Sequence, residues 1–244
     1  LVKGDPPALV RCGPDACHGN EAMSLLPTVE RETGAQPTHS VIWLHGLGAD
    51  GNDFAPVVPE LAARDWPPLR FVFPHAPVQP VTVNGGMPMR AWYDIVGFDL
   101  LSRQDEVGMR RSIAAVEALI EREHERGVPS ERIVLAGFSQ GGAIALAAGL
   151  RHAHALAGIV ALSTYLPLAS TLATERHAAN AAVPLFWGHG TMDPVVILQR
   201  GLDSRAALEA LGYVVDWHTY PMPHSVCPQE IGDLREWLGK RLRA

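Results

Sequence analysis

Cysteine is scarce: three in 244 residues, Cys12, Cys17 and Cys227. They are too few and too scattered for a disulfide framework, and the first two lack further ligand-type residues at zinc-finger spacing. Cys227 is expected as a packed thiol, in a reducing and hence cytoplasmic compartment. Excess positive charge is also missing, since 20 Lys+Arg face 26 Asp+Glu for a formal net charge of -6. That argues against a broad basic surface for nucleic acid or anionic lipid. No apolar run reaches the length of a membrane span, because charges, prolines or glycines interrupt each one, so no stable membrane association is expected. Repeats at solenoid or propeller spacing are absent. The 11 histidines show no H-E-x-x-H or comparable ligand spacing, so neither a metal nor a cofactor is expected.

What is present is an ordinary globular balance, 47% hydrophobic and 19% charged, at a length single α/β domains routinely reach. Residues 1–20 carry prolines, glycines and polar residues without periodicity and read as an irregular N-terminal extension; 21–244 read as one domain. Six segments read as strands: SVIWLHG at 40–46, LRFVFPHAP at 69–77, RIVLAG at 132–137, AGIVALS at 157–163, VPLFWGHG at 183–190 and YVVDWHTY at 213–220. Most are nearly continuous apolar runs, the pattern of strands covered on both faces in a mainly parallel sheet. Helical patterns lie between them at 104–126 (Val107, Ile113, Val116 and Ile120 on one face), 142–153, 197–211 and 228–242 (Ile231, Leu234, Trp237 and Leu238). Strands alternating with crossover helices predict a doubly wound α/β fold with helices on both faces of the sheet.

The stretch LAGFSQGGAIA at 135–145 holds a Gly-x-Ser-x-Gly pattern, of which about 0.1 chance matches are expected in a chain this long. Context decides: Gly137, Ser139 and Gly141 fall where a strand must turn into a helix, the setting of a nucleophile elbow. A strained turn lifts the serine hydroxyl out of the sheet, and glycines remove the clashes that flanking side chains would make. The alternative is a serine N-cap with glycines packing helix on strand.

A serine hydroxyl needs a base, and an imidazole base needs an acceptor that fixes its tautomer. In this architecture the acid and the histidine follow the serine in chain order. Of the six later histidines, His152 and His154 end a helix, His177 lies in a polar loop, His189 closes a strand and His218 lies inside one. His224, in YPMPHSVCPQE, follows the last strand at the carboxyl edge of the sheet, where ligands bind in such folds. Asp193, in GHGTMDPVV, directly follows a strand at the same edge, although Asp before Pro194 is also a good helix cap. Asp203 falls on a helix and Asp216 within a strand. Two backbone amides are expected to hold a developing oxyanion, one from Gln140 and one from the glycine-rich loop WLHGLGADGNDF at 43–54, with Leu47 the candidate. His45 reads as a brace for that loop, and Asp50 and Asp53 as turn or cap residues.

Taken together, HGLGADGNDF, GFSQGGAIAL, GHGTMDPVV, HSVCPQE and the insertion PVTVNGGMPMRAWYDI at 80–95 resemble the phospholipase/carboxylesterase family, on its carboxylesterase branch close to the acyl-protein thioesterases. The resemblance runs from about residue 22 to the C-terminus. It implies an α/β-hydrolase fold and a serine esterase without metal or cofactor, with Ser139, Asp193 and His224 as triad and Leu47 and Gln140 as oxyanion donors. The expected activity is hydrolysis of short- to medium-chain carboxylic esters, with a small-molecule ester as substrate. The alternatives are an acyl-protein thioesterase or lysophospholipase and, from another class, a non-catalytic binding protein on this fold. Pairing of two chains into a homodimer is suggested by some family members. Three departures stand out: residues 1–20 have no counterpart, Pro223 precedes the histidine where glycine is frequent, and Ile197 stands where relatives often carry proline. The long insertion from Val78 to Leu101 brings Met87, Met89, Trp92 and Tyr93 near the expected site. Met87, Met89 and Trp92, with Met192 and Val195, are candidates for an apolar acyl pocket, a reading equally open to plain core packing for the insertion. Arg90 and Asp94 are expected to fix that loop.

Overall fold

Nine strands and six helices make up the computed structural model, which describes residues 25–97 and 104–242. In chain order they are β1 (Thr28–Glu32), β2 (His39–Leu44), α1 (Val58–Leu61), β3 (Leu69–Pro74), β4 (Val78–Val81), β5 (Met87–Arg90), α2 (Glu106–Glu125), β6 (Ile133–Phe138), α3 (Gln140–Gly149), β7 (Gly158–Leu162), α4 (Ala169–Glu175), β8 (Leu185–Gly190), α5 (Leu198–Ala210), β9 (Val215–Tyr220) and α6 (Pro228–Leu242). The main sheet has the order β1-β3-β2-β6-β7-β8-β9. Every pairing in it is parallel except that of β1 with β3. The extension at 1–20, with Cys12 and Cys17, and the last residues of the insertion lie outside the described residues.

Period-two alternation sends successive strand residues to opposite faces, and two apolar layers result. On one face Ile42, Leu44, Ile133, Leu135, Ile159 and Trp187 pack with Val116, Leu119 and Ile120 of α2, Ile144 of α3 and Leu208 of α5. On the other, Val41, Trp43, Val134, Val160 and Phe186 pack with Leu61 of α1 and with Ile231, Leu234, Trp237 and Leu238 of α6. The α6 residues are the ones its helical spacing predicts. In α2 the expected face needs correction at Val107, which stands 71% exposed in the first turn; Met109 and Leu119 are buried instead.

Other boundaries also differ from expectation. The helix after Ser139 starts at Gln140 and stops at Gly149, and the last strand starts at Val215. Besides the short helices α1 and α4, two further features were not expected. β1 is a half-exposed antiparallel edge strand, and the insertion folds into a hairpin of β4 with β5. Asp94 closes that hairpin by accepting from the Thr82 amide at 2.7 Å and hydroxyl at 2.5 Å, while Arg90 Nη1 donates to the Ala76 carbonyl at 2.8 Å. Both residues therefore fix the loop, as read from the sequence. Among the described residues no helix is long and apolar enough to cross a membrane.

Candidate active site

Ser139 is the single residue between β6 and α3, and its backbone is at φ 54°, ψ -121°. Positive φ at a serine costs on the order of 1–3 kcal/mol. Fixed bonds hold it there: its N–H donates to the Leu162 carbonyl at 2.9 Å, and its carbonyl accepts from Thr164 Oγ1 at 2.7 Å. The glycines allow the close approach that this turn demands. A Cβ at 137 would lie 2.4 Å from the Gly141 carbonyl carbon, and one at 141 would lie 2.3 Å from the Leu44 carbonyl oxygen. The serine side chain makes no cap bond to α3, which disposes of the N-cap alternative.

The hydroxyl turns to His224 instead. Ser139 Oγ lies 2.8 Å from His224 Nε2, and His224 Nδ1 lies 2.6 Å from Asp193 Oδ2. With Nδ1–H donating to the carboxylate, Nε2 presents its lone pair to the serine. Asp193 is buried, and its other oxygen accepts from the Val195 and Val196 amides at 2.8 and 2.9 Å. Burial pushes this carboxyl upward, but the bond and charge of His224, together with the two amides, outweigh it and hold it below the usual carboxylate range. Asp193 is not the cap of α5, which begins five residues later. Beneath it, His189 is fully buried and donates from Nε2 to the Val196 carbonyl at 2.8 Å. Desolvation lowers the basicity of His189, the ring that bolsters the aspartate loop.

The glycine-rich loop after β2 meets the elbow. A Cβ on Gly46 would come 3.2 Å from Phe138 and 3.6 Å from the Ser139 Cβ, so the residue before Leu47 abuts the serine. Gly48 N–H donates to the Arg90 carbonyl and Ala49 N–H to Gly46. Gln140 opens α3, where the first four amides have no intrahelical acceptor. Gln140 thus directly follows Ser139 at the start of α3, and Leu47 directly follows the glycine that abuts the serine. His45 braces this loop as expected: Nδ1 donates to the Gly46 carbonyl at 2.7 Å and Nε2 accepts from Ala76 N–H at 3.1 Å.

The pocket candidates divide. Met87, Met192 and Val195 are each about 60% exposed, while Met89 is half-buried with its sulfur 4.0 Å from a Cβ built on Gly48. Trp92 requires correction, because it is 1% exposed and belongs to the core. Its indole N–H donates to the His45 carbonyl at 2.9 Å and its backbone N–H to Gln140 Oε1 at 2.8 Å. Gln140 Nε2 in turn donates to the Tyr93 carbonyl at 2.7 Å. Trp92 thus ties the insertion to the loop before Leu47 and to the elbow.

Cys227 is half-buried and lines a cleft. Thr164, His189 and Phe138, whose ring stacks obliquely on His224 at 4.7 Å, carry no sequence signal separating them from ordinary core residues. Among the described residues no three His, Cys, Asp or Glu side chains converge into a group that could hold a metal ion.

A family model described as phospholipase/carboxylesterase matches residues 27–242. A protein of Mycosarcoma maydis named acyl-protein thioesterase 1 is 42% identical over 241 residues, covering 91% of this chain and 100% of the relative. Among solved structures, Arabidopsis thaliana SOBER1 superposes with a TM-score of 0.79 at 30% identity, over 84% of this chain and 99% of that one. Zea mays acyl-protein thioesterase 2 does so with 0.77 at 30% identity, over 89% and 99%. With its parallel sheet, its elbow serine and a match over nearly all of the described residues, the chain belongs to the phospholipase/carboxylesterase family of α/β hydrolases and is a serine hydrolase.

Proposed function

We propose that the protein hydrolyses the thioesters of acylated proteins, with Ser139 as nucleophile, His224 as general base and acid, and Asp193 as the group that orients the imidazole. The observation that carries this reading is the unbroken hydrogen-bonded chain from the Asp193 carboxylate through His224 to the Ser139 hydroxyl, at 2.6 and 2.8 Å. The relatives at about 40% identity named acyl-protein thioesterase support a thioester over a simple short-chain ester as the principal substrate. A second reading, simple-ester carboxylesterase, is favoured by the description of the family model; the same groups would serve it.

In the first step His224 Nε2 takes the hydroxyl proton as Ser139 Oγ bonds to the carbonyl carbon, and the Leu47 and Gln140 amides hold the resulting oxyanion. When the tetrahedral species collapses the C–S bond breaks, and the proton on Nε2 passes to the departing sulfur. Water then attacks the acyl-serine, giving its proton to His224, and Ser139 leaves with that proton restored. Asp193 stays ionised throughout. The test compares a peptide carrying an S-acylated cysteine with p-nitrophenyl esters of graded chain length. Thioester turnover exceeding ester turnover is expected, with Ser139→Ala lowering kcat by on the order of 10⁶ for both. Activity that survives Ser139→Ala overturns the mechanism, and esters preferred at every chain length would favour the second reading.

A further inference from the structure

A cleft of about 500 Å³ opens against the His224 ring, between the segment that leads into α1 and the start of α6. Its apolar floor includes Phe54, Phe138, Val226 and Ile231, and its charged lining groups are two carboxylates, Asp53 and Glu60; neither lysine nor arginine lines it. Burial and the nearby Asp50 both push the Asp53 carboxyl upward, and a cation placed beside it would favour its charged form. The group that departs in acyl transfer must lie against His224, because that ring hands it its proton. His224 is among the residues that line the cleft, so the cleft borders the residue that hands over this proton.

Resting on the thioesterase reading, we propose that this cleft is a leaving-group subsite for basic residues flanking the acylated cysteine of a peptide or protein. The apolar floor accommodates the methylene stems of lysine and arginine while the carboxylates meet their charged ends, a division that suits such amphipathic side chains. An acidic flank would be repelled, so the discrimination falls on the leaving group and not on the acyl chain.

The experiment measures kcat/KM for two S-acyl-cysteinyl peptides of identical acyl group, one flanked by lysines and one by glutamates. Butyrylthiocholine is assayed beside its uncharged carbon isostere, the 3,3-dimethylbutyl thioester. The lysine peptide is expected to be favoured at least about tenfold at low salt, the advantage shrinking with ionic strength. In Asp53→Asn/Glu60→Gln the lysine-to-glutamate ratio falls toward one; as a ratio, it is insensitive to the folded fraction of the preparation. Peptides cleaved without charge preference, or a preference untouched by the double substitution, overturn the subsite and leave the thioesterase reading standing. Small thioesters cleaved while neither peptide is turned over overturns the thioesterase reading and the peptide occupant with it. The thiocholine ratio then decides separately whether the cleft selects cations, a ratio near one refuting that too.

Discussion

Glu230 sits in the first turn of α6 with its carboxyl buried against β8, so close that a Cβ on Gly188 would lie 2.0 Å from Oε1. Neither oxygen has a hydrogen-bond partner of ordinary geometry. Burial pushes this carboxyl up to about 8, with the Cys227 backbone opposing and Asp233 adding to the rise. The folded protein thus holds a proton that the unfolded chain releases near the ordinary glutamate value. Stability from this group is fully present below about pH 4.5 and is lost as pH climbs to about 8, a decline on the order of a few kcal/mol. Melting temperatures between pH 5 and 9 should fall in the native protein and fall much less in Glu230→Gln; parallel profiles would show the carboxyl to be solvated. Trp92→Phe keeps an aromatic ring, smaller than the indole, and removes the N–H that holds the His45 carbonyl. It should lower kcat about tenfold with little change in KM, and weaken a boronic-acid mimic of the tetrahedral state in parallel, because the loss falls on the oxyanion loop. Asp193→Asn should leave the loop folded while lowering kcat by about 10³ to 10⁴, through loss of the correct imidazole tautomer.

At the scale of elements, the packing of α3 on β6 and β2 fixes the site. Gly141→Ala would drive a methyl into the Leu44 and His45 carbonyls, at 2.3 and 2.5 Å, so both folding yield and turnover should collapse. Gly127→Ala, at a loop where a Cβ meets nothing within 4 Å but φ is +85°, should cost stability alone, by about 1 kcal/mol. Thermal melts and kcat measured on the same preparations separate the two cases. The sheet's interior was legible because β2, β7 and β8 are buried throughout and β6 in all but its last residue, and their sequences are largely apolar accordingly. β1 was not: Glu30, Arg31 and Glu32 face solvent or ion pairs on an edge, and no apolar run marks them. The β4–β5 hairpin was hidden by prolines at 80 and 88 that face each other across it. Ser139, Asp193 and His224 could be found because chain order and sheet edge restrict the choice. Trp92 was misplaced because an aromatic residue in a loop near the site looks the same in sequence whether it lines a pocket or supports its floor.

Over the whole molecule, two apolar layers on opposite faces share one sheet, so damage to either should unfold both together. Leu234→Ala, in the α6 layer and fully buried, should cost about 2–5 kcal/mol and shorten denaturant transitions without splitting them in two. Amide exchange should be slowest in β2, β6 and β7, which have a neighbour on each side, and faster in β1 and β9 at the edges; equal protection at edge and centre would contradict this.

The one-residue span between β6 and α3 has a consequence for how this chain can change length. Adding or deleting a residue between 137 and 142 would turn the first helical positions by about 100° and swing the hydroxyl away from His224. The exposed bend between β1 and β2 at 33–36 has no such ruler attached and should accept insertions. Length variation in descendants of this protein should therefore collect far from residue 139, and a library of random single-codon insertions, selected for turnover, would map that boundary directly.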